Sequence, residues 1–526
     1  MLKCDFYDFS AGVVDLSYIV IDGNEQNLLI VAPVINIRSL ALNTKTGLTV
    51  QGVNVTIFNS TLSSTATGLT LSRSPWFSNL ITSVTISDST FSATDTGMSV
   101  NYQDFLNITN CIFADNDLGI NMYNAQSNVR YIIRQSRFVR NVRAVYGSVQ
   151  ADGRLEFSNN VIAESPSTDS FNRLSGIQLY SSMRDTFELK NNVFFNLSNG
   201  ALRIECSAST DYASTIMIIN NTFSNISKTA LNLKNVLFSK ATIQDNSFSF
   251  NSFSGGPSAV DISVWFTSSV SGTPGNTSLS QNKFQRNVGQ HIVKFTTAAF
   301  SSDLLYPFSN VSSNLFLNNI ASESVIFTQY NRLNINQNIF SNPLAGLDLK
   351  VAFPSSFQEN CTFNWWGSVN EEDIASRIFD NTDDSSLGLV IYEPFLNVSE
   401  FTCDSLSGCS GNGLCILPET CECVDGCKDQ LALSLPALEF WIATEEDSAS
   451  DPTSVTAKKT GLVPTVRKLL AMNEGTAATE ESALPPTSKS ELINQVKREL
   501  TPFSDRAVYA IIYIYNFFFI KKEYCL

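Results

Sequence analysis

Carboxylates and a single histidine are the residues of this sequence best suited to acid–base chemistry. A glycosidase of the inverting type needs an acid and a base carboxyl group about 6.5–9.5 Å apart. The aspartates considered for such a pair, or for a calcium cluster, are Asp88, Asp115, Asp117, Asp245 and Asp261. They fall at unrelated positions of the repeat described below, so we expect solvated surface acids. The only histidine, His291, is predicted to be a packed or surface side chain.

Three short segments can be compared with the catalytic motifs of pectinases. The run 381–384 (Asn-Thr-Asp-Asp) resembles the Asn-Thr-Asp motif of polygalacturonases. The Gly-His-Gly and Arg-Ile-Lys motifs of that family have no match, and the nearest segments are 289–292 (Gly-Gln-His-Ile) and 203–205 (Arg-Ile-Glu). The sequence therefore predicts a protein without catalytic residues, cofactor or metal site.

The cysteines divide into a dense cluster and scattered single residues. The clustered ones are Cys403, Cys409, Cys415, Cys421, Cys423 and Cys427, and the scattered ones are Cys4, Cys111, Cys206, Cys361 and Cys525. A dense, even cluster predicts disulfides and an oxidising compartment. Zinc is the rival interpretation, but structural zinc sites need closely spaced cysteine pairs, and the five-residue spacing argues against them.

Two segments of this cluster, Cys409–Cys415 and Cys421–Cys423, are similar to an EGF-like domain. The resemblance implies the disulfides Cys403–Cys415, Cys409–Cys421 and Cys423–Cys427. The loop from Cys423 to Cys427 is shorter than that family has, so a mispaired or free Cys427 is the alternative to the third bridge. The segment before Cys403 lacks the acidic motif of calcium-binding members, so the resemblance implies no metal.

Composition restricts the partners of the 526-residue chain. Charged residues make up 16 %, against a typical quarter, and the net charge is −15. No basic footprint for nucleic acid is present. Abundant Asn, Ser and Thr supply a neutral polar surface, which suits stacked sheets because like charges in register repel. The candidate glycosylation sequons are Asn54, Asn107, Asn196, Asn225, Asn276, Asn310 and Asn397.

A repeat of uneven length runs through most of the chain. Its marker is one large apolar position, occupied by Leu62, Phe91, Phe113, Phe138, Ile162, Phe194, Phe223, Phe248, Phe284, Phe316, Phe340 and Phe363. Two residues earlier lies an Asn in most repeats, at Asn160, Asn192, Asn221, Asn246, Asn282, Asn314 and Asn338. Ser89, Cys111, Ser136 and Cys361 take that place elsewhere. Five residues earlier lies a β-former, and a small–apolar–x–apolar step follows, as at 176–179 and 346–349.

These columns predict an all-β fold, a right-handed parallel β-helix of about twelve coils. Each coil has two or three short strands with period-2 alternation, and equivalent residues stack. Asn is expected at a sharp bend because it tolerates the left-handed conformation and bonds to the Asn above and below. A β-sandwich lacks such an Asn column, and propeller blades repeat at a steadier length.

An open-ended solenoid needs caps. The residues Trp365, Trp366 and Gly367 are predicted to cover the last coil. Asn370 is predicted to cap a short helix with Ile374 and Ile378 on one face. The alternative for the two tryptophans is a sugar-stacking platform.

The segment 364–396, of the form NWWG…IxxRIxD…GLVxYxPFL, resembles the terminal unit of β-helix regions in large cell-surface proteins. Among animal proteins the chain most resembles the Bark beetle (Anakonda) family over about residues 50–400. The resemblance implies a transmembrane protein with a long β-helix ectodomain that organises tricellular corners of epithelial junctions. The scavenger-receptor and lectin-like modules of that family are not recognisable.

The predicted divisions are 1–50, the start of the β-helix or a cap; 51–363, the β-helix repeats; 364–402, the C-terminal cap; 403–428, the EGF-like module; 429–506, a disordered linker or tail; and 507–526, a short apolar segment. No signal peptide is visible, so we expect a piece of a longer chain. The apolar run 507–520 is shorter than the roughly 17–25 residues that span a membrane, yet it remains a candidate C-terminal anchor.

The sequence thus favours a non-catalytic extracellular scaffold or adhesion ectodomain at the cell surface. Its expected partners are other cell-surface proteins or glycans, with no nucleic acid. The alternative is a carbohydrate-binding or polysaccharide-degrading β-helix protein.

Overall fold

The structure is a computed structural model in two units, Met1–Val398 and Ser399–Leu526. It describes residues 12–24, 28–73, 80–93, 95–123, 127–149, 152–166, 174–181, 184–206, 214–236, 239–252, 258–264, 276–297, 307–354, 357–397, 413–417 and 420–423.

The first unit is a right-handed parallel β-helix made of three long sheets, which confirms the predicted fold class. The first sheet contains Val13–Ser17, Val34–Arg38, Asn54–Phe58, Ser83–Ser87, Phe105–Thr109, Arg130–Arg134, Arg154–Ser158, Thr186–Lys190, Thr215–Ile219, Lys240–Gln244, Asn276–Ser280, Phe308–Ser312, Arg332–Asn336, Gln358–Asn360 and Leu389–Ile391. The second sheet contains Val20–Asn24, Ala41–Thr44, Thr61–Ser64, Thr90–Ala93, Ile112–Ala114, Arg137–Val139, Val161–Ala163, Val193–Leu197, Thr222–Ile226, Ser247–Ser249, Lys283–Gln285, Leu315–Leu317 and Ile339–Ser341. The third sheet contains Leu28–Val31, Leu48–Gln51, Thr67–Ser72, Thr96–Asn101, Leu118–Tyr123, Arg143–Val149, Ile177–Ser181, Leu202–Cys206, Leu231–Lys234, Val260–Val264, Val288–Thr297, Ile320–Gln329, Leu349–Ala352 and Ile378–Phe379.

One coil consists of a strand from each sheet in turn, and each strand pairs in parallel with its equivalents in the neighbouring coils. Because successive side chains alternate, the inward residues of all three sheets form one continuous apolar core. The first strand that the structure describes, Val13–Ser17, already belongs to a coil and precedes the first repeat recognised in the sequence. Leu42 is the register partner of Leu62 and extends the large apolar column by one coil.

The predicted column is a file of stacked aromatic rings inside the second sheet. The rings of Phe223 and Phe248 are parallel with centroids 4.7 Å apart, and Phe284 follows at 4.8 Å. Phe363 was wrongly assigned to this file, because its side chain is exposed. The position is taken by Trp366, whose ring stacks on Phe340 at 4.7 Å.

The replacement of Phe363 by Trp366 moves the repeat by three residues in the last coil, and this changes a second assignment. Cys361 is not in the Asn column but is a buried residue five positions before Trp366. The Asn place of that coil belongs to Asn364, whose Oδ1 accepts from Nδ2 of Asn338 at 3.0 Å. The small–apolar step at 346–349 is likewise displaced, since Leu349 is the register partner of Ile326.

The six predicted ladder residues lie directly above one another at the corner between the first and second sheets. Each donates its backbone N–H and its Nδ2 to the Oδ1 of the next, in the order Asn192, Asn221, Asn246, Asn282, Asn314 and Asn338. The ladder Asn was expected to adopt the left-handed conformation, but this was wrong. The residue before it is left-handed instead, as at Asn191 and Asp245. The ladder Asn instead satisfies buried backbone groups that the bend leaves unpaired.

A second amide ladder, which the sequence analysis missed, follows the corner between the second and third sheets. Asn251, Asn287, Asn319 and Asn342 are linked by Nδ2–Oδ1 hydrogen bonds of 2.9–3.0 Å. Three of the four stand three residues after the phenylalanine of the column, a spacing that is visible in the sequence.

The C-terminal end is covered by a short cap. Asn370 caps the helix Glu371–Ala375 by accepting from the backbone N–H of Glu372, as predicted. The helix is shorter than expected: Ile374 is buried on it, but Ile378 belongs to the last strand of the third sheet. Gly367 adopts a left-handed φ of 82°, which turns the chain away from the second sheet.

The second unit is described only as an antiparallel hairpin of Gly413–Leu417 and Thr420–Cys423. The side chains of the six clustered cysteines lie outside the described residues, and so do the linker 429–506 and the apolar segment 507–526. None of the described helices is both long and apolar enough to cross a membrane.

Candidate functional site

The five aspartates considered for catalysis lie in different surroundings. Asp88 accepts a hydrogen bond from Asn110 at a corner. Asp115 forms two hydrogen bonds with Arg140, of 2.7 and 2.8 Å. Asp117 and Asp245 are exposed, and Asp261 lies on the outer face of the third sheet. Within the described parts of the chain, no three His, Cys, Asp or Glu side chains are grouped to hold a metal ion.

The run 381–384 shapes a turn in the cap. Its acids accept local hydrogen bonds: Asp384 accepts from the backbone and hydroxyl of Ser386, and Asp383 accepts from the backbone of Asp380. Asp380 in turn accepts from Thr382 and from the backbone of Val390. These carboxylates are used to fold the cap, so the likeness to a polygalacturonase motif is superficial.

His291 is packed and not on the surface. Its Nδ1 lies 3.0 Å from Oγ of Ser324, and its Nε2 lies 4.0 Å from Oε2 of Glu323. This order of serine, histidine and carboxylate has the composition of a nucleophilic triad. However, Ser324 is 0 % exposed and His291 only 3 %, so a substrate has no path to the hydroxyl. The imidazole also stacks on Phe327 at 4.6 Å.

Burial lowers the pKa of His291 to about 4, although Glu323 opposes this change. The imidazole is therefore neutral near pH 7. Hydrogen bonds from Lys350 and Gln290 keep the pKa of Glu323 below its ordinary value. The group behaves as a packed polar cluster at the edge of the third sheet.

The outer face of the third sheet carries a regular row of polar and aromatic side chains. One residue from each coil stands in register, in the order Asn121, Tyr146, Gln178, Arg203, Asn232, Asp261, Lys294, Phe327 and Lys350. We call this row the third-sheet row. Because parallel strands lie about 4.8 Å apart, the row places one side chain per coil at a regular spacing. Its member Gln178 is buried, whereas the others are partly exposed.

The middle of the third-sheet row is held in place by neighbouring side chains. Gln178 donates to the hydroxyl of Tyr180 at 2.6 Å, and the rings of Tyr146 and Tyr180 meet edge to face at 5.7 Å. Arg143 covers the Tyr146 ring at 4.6 Å, a cation–π distance. Arg203 pairs with Glu205 at 2.6 Å. The row is thus pre-ordered, which lowers the entropy cost of binding a ligand.

Several polar atoms of this row have no hydrogen-bond partner among the described residues, although water does not reach them. They are Oδ1 of Asn121, Nε of Arg203, Oδ1 of Asn232 and Oδ1 of Asp261. Burial raises the pKa of Asp261, and Lys294 and Lys234 oppose the change. Buried polar atoms without partners are costly, so these four atoms are unusual features of the row.

The sequence analysis did not single out Tyr146, Tyr180, Gln178 or Asn232. The signal was available, because the x of each small–apolar–x–apolar step and the second residue after it point outward. That pattern predicts that a side chain points outward, but it does not predict which of the outer faces of the solenoid binds a partner.

The predicted cap tryptophans differ in exposure. Trp366 is fully buried on Phe340. Trp365 is partly exposed and its backbone bridges to Ile339. With Trp366 inside, the pair does not form an open sugar-stacking platform.

Among the candidate sequons, Asn54, Asn196, Asn225, Asn276 and Asn397 are exposed. Asn107 and Asn310 are partly buried. Every one of them leaves some surface where a glycan could be attached.

The three cysteines described in full are free thiols, and all are buried: Cys111, Cys206 and Cys361. Burial raises the pKa of Cys111 to about 12 and that of Cys206 to about 11. Such thiols stay protonated near neutral pH and do not serve as nucleophiles.

Comparison with known families agrees with this architecture. Residues 19–210 match the family model described as a right-handed beta helix region, which supports a parallel β-helix family for the chain. No curated protein and no solved structure matches it in the corresponding comparisons.

Proposed function

We propose that this protein is a non-catalytic extracellular scaffold or adhesion ectodomain that binds cell-surface proteins or glycans along the third-sheet row. The observation that carries the proposal is the register of that row, which places aromatic, amide and charged groups at one per coil. A straight array of this kind suits an elongated partner better than a small substrate.

Rigidity supports the scaffold role. Two amide ladders and a file of stacked rings run along the core, so the outer faces keep fixed spacings over many coils. A finer assignment, in which the chain organises epithelial junctions, rests on the resemblance of the cap to the Bark beetle family. An EGF-like module, disulfides, glycosylation and a membrane anchor belong to the same proposal.

The test is retention of the full-length chain on cell surfaces. Fluorescent beads coated with the protein should adhere to epithelial cells, and the double variant Tyr146→Ala/Asn232→Ala, at two positions of the third-sheet row, should reduce adhesion at least fivefold. The matched control is Thr242→Ala/Gln244→Ala, on the outer face of the first sheet. Equal adhesion of all three proteins, or none by the wild type, would contradict the proposal.

A carbohydrate-binding or polysaccharide-degrading protein is the second candidate, favoured by the unpartnered polar atoms of Arg203, Asn232 and Asp261. Incubation with polygalacturonate, followed by measurement of new reducing ends and unsaturated products, separates it from the first. The scaffold proposal expects no product. Product formation that Asp261→Asn abolishes would establish the enzyme instead.

A further inference from the structure

An open depression lies at the corner between the first and second sheets, near the N-terminal end of the β-helix. Its volume is about 380 Å³, and it is lined by Tyr18, Arg38, Ser39, Thr56, Phe58 and Ser87. These residues come from four successive coils, so stacked strands form the site. It is separate from the third-sheet row.

Strand register fixes the arrangement of the lining. Arg38, Phe58 and Ser87 are partners at the last position of three adjacent strands of the first sheet. The residues before them, Ile37 and Ile57, are fully buried, so alternation turns Arg38 and Phe58 outward. Tyr18 follows the preceding strand at the corner, with a left-handed φ of 57°.

Two aromatic side chains of the depression lack ring partners. Tyr18 is 86 % exposed and Phe58 is 45 % exposed, and neither ring contacts another ring in the part of the chain that the structure describes. Exposed rings on a sheet edge offer flat apolar faces, against which the apolar face of a ligand ring can pack.

Among the described residues that line the depression, Arg38 alone carries a positive charge. It makes no ion pair with any residue for which the structure gives a position, in a chain whose net charge is −15. A guanidinium presents two parallel N–H groups that match one carboxylate. A phosphate usually draws several basic groups or a helix N-terminus, and neither lines this site.

The remaining lining groups are hydroxyls. Ser39, Thr56 and Ser87 line the depression together with the charged and aromatic groups. Oγ of Ser39 accepts from Nδ2 of Asn59 at 3.2 Å, which leaves its own proton to donate. Three hydroxyls around one guanidinium and two rings match a ligand with several hydroxyls, one carboxylate and a ring.

We propose that this depression binds a carboxylated pyranose, such as a uronic acid or sialic acid unit of an acidic glycan. Arg38 pairs with the carboxylate, Tyr18 packs against the sugar ring, and the hydroxyls bond to the sugar hydroxyls. The site goes beyond the proposed function because it lies on another face and recognises one sugar unit.

Saturation-transfer NMR and calorimetry on the full chain test this site. The probes are sodium galacturonate and N-acetylneuraminate, with methyl galacturonate ester and galactose as uncharged controls. At least one acid should bind with a Kd on the order of 1 mM, and the uncharged sugars at least tenfold more weakly. Arg38→Met should weaken binding at least tenfold, and Tyr18→Asn, which tolerates the left-handed backbone, at least threefold.

The matched control is Arg130→Met, an exposed arginine on a distant strand of the first sheet, which should bind the acids like the wild type. The acid that binds identifies the source of the ligand. Absence of binding by both acids, equal affinity for the uncharged ester, or undiminished binding by folded Arg38→Met would overturn the proposal. The third-sheet variant Tyr146→Ala/Asn232→Ala should keep acid binding, so failure of this site and of the third-sheet row can be told apart.

Discussion

Asn221 and Asn246 are joined by two hydrogen bonds to a single oxygen. Oδ1 of Asn246 accepts from the backbone N–H of Asn221 at 2.8 Å and from its Nδ2 at 3.0 Å. Nδ2 of Asn221 also donates to the carbonyl of Leu189, in the coil before. One amide therefore links three consecutive coils at a buried bend.

We predict that Asn221→Ala destabilises the β-helix by about 3 kcal/mol, because buried donors and acceptors in adjacent coils lose their partner. Asn221→Ser should cost less, since Ser89 and Ser136 occupy the same column with one hydroxyl. Urea unfolding followed by circular dichroism measures the change. The control Asn276→Ala, at an exposed strand position, should stay within about 0.5 kcal/mol.

The aromatic file gives a second prediction. Phe248→Ala removes a fully buried ring stacked on Phe223 and Phe284, and should cost about 3–5 kcal/mol. Phe248→Leu should cost less, because Leu62 fills the same column. The exposed Phe195→Ala is the control. A similar unfolding midpoint for Phe195→Ala and Phe248→Ala would contradict the packing argument.

The third prediction concerns the stability of the β-helix at acidic pH. The pKa of His291 is about 4 in the folded chain, below the 6.5 of an unperturbed histidine. Between these values the unfolded chain binds more protons, so the contribution of His291 to stability is fully present above pH 6.5 and is lost as the pH drops toward 4. The loss should approach about 3 kcal/mol. His291→Gln should flatten this part of the pH profile of urea midpoints, and an unchanged profile would refute the assignment.

The fourth prediction concerns the stability of the β-helix at alkaline pH. Burial raises the pKa of Glu359 to about 8, and its Oε1 has no partner among the described residues. The folded chain keeps this proton when the unfolded chain loses it above pH 4.5, so stability declines as the pH rises toward 8. Glu359→Gln should remove that decline, measured as the difference in urea midpoint between pH 5 and pH 9. An equal decline in both proteins would show that another group titrates.

The fifth prediction concerns the cap. Asp348 is fully buried and is paired with Arg377, which also donates to the carbonyl of Asn342. Burial raises the pKa of Asp348, and the hydrogen bond from Arg377 opposes this. Arg377→Met should cost about 3 kcal/mol because the carboxylate loses its cation. Arg184→Met, at an exposed pair of 3.8 Å with Asp152, should change little.

The last coil shows where sequence reasoning failed. Phe363 and Trp366 are both aromatic, and the sequence analysis assigned Phe363 to the large apolar position of the repeat. Only Asn364, two residues before Trp366, fits both the amide ladder and the stacked rings. The sequence analysis matched each recurring position separately, whereas in the structure the Asn position and the aromatic position of a coil must fit at the same time.

The sequence by itself determined the stacked architecture, because identical side chains at matched positions specify both the register of the strands and the buried ladders. It also determined the N-cap at Asn370. The tertiary structure decided which outward residues line one surface, since Tyr18 and Phe58 occupy different positions of the repeat yet line the same depression. Closing the chain into coils brings residues from distant segments within a few ångströms, and loops of unequal length hide that proximity in the sequence.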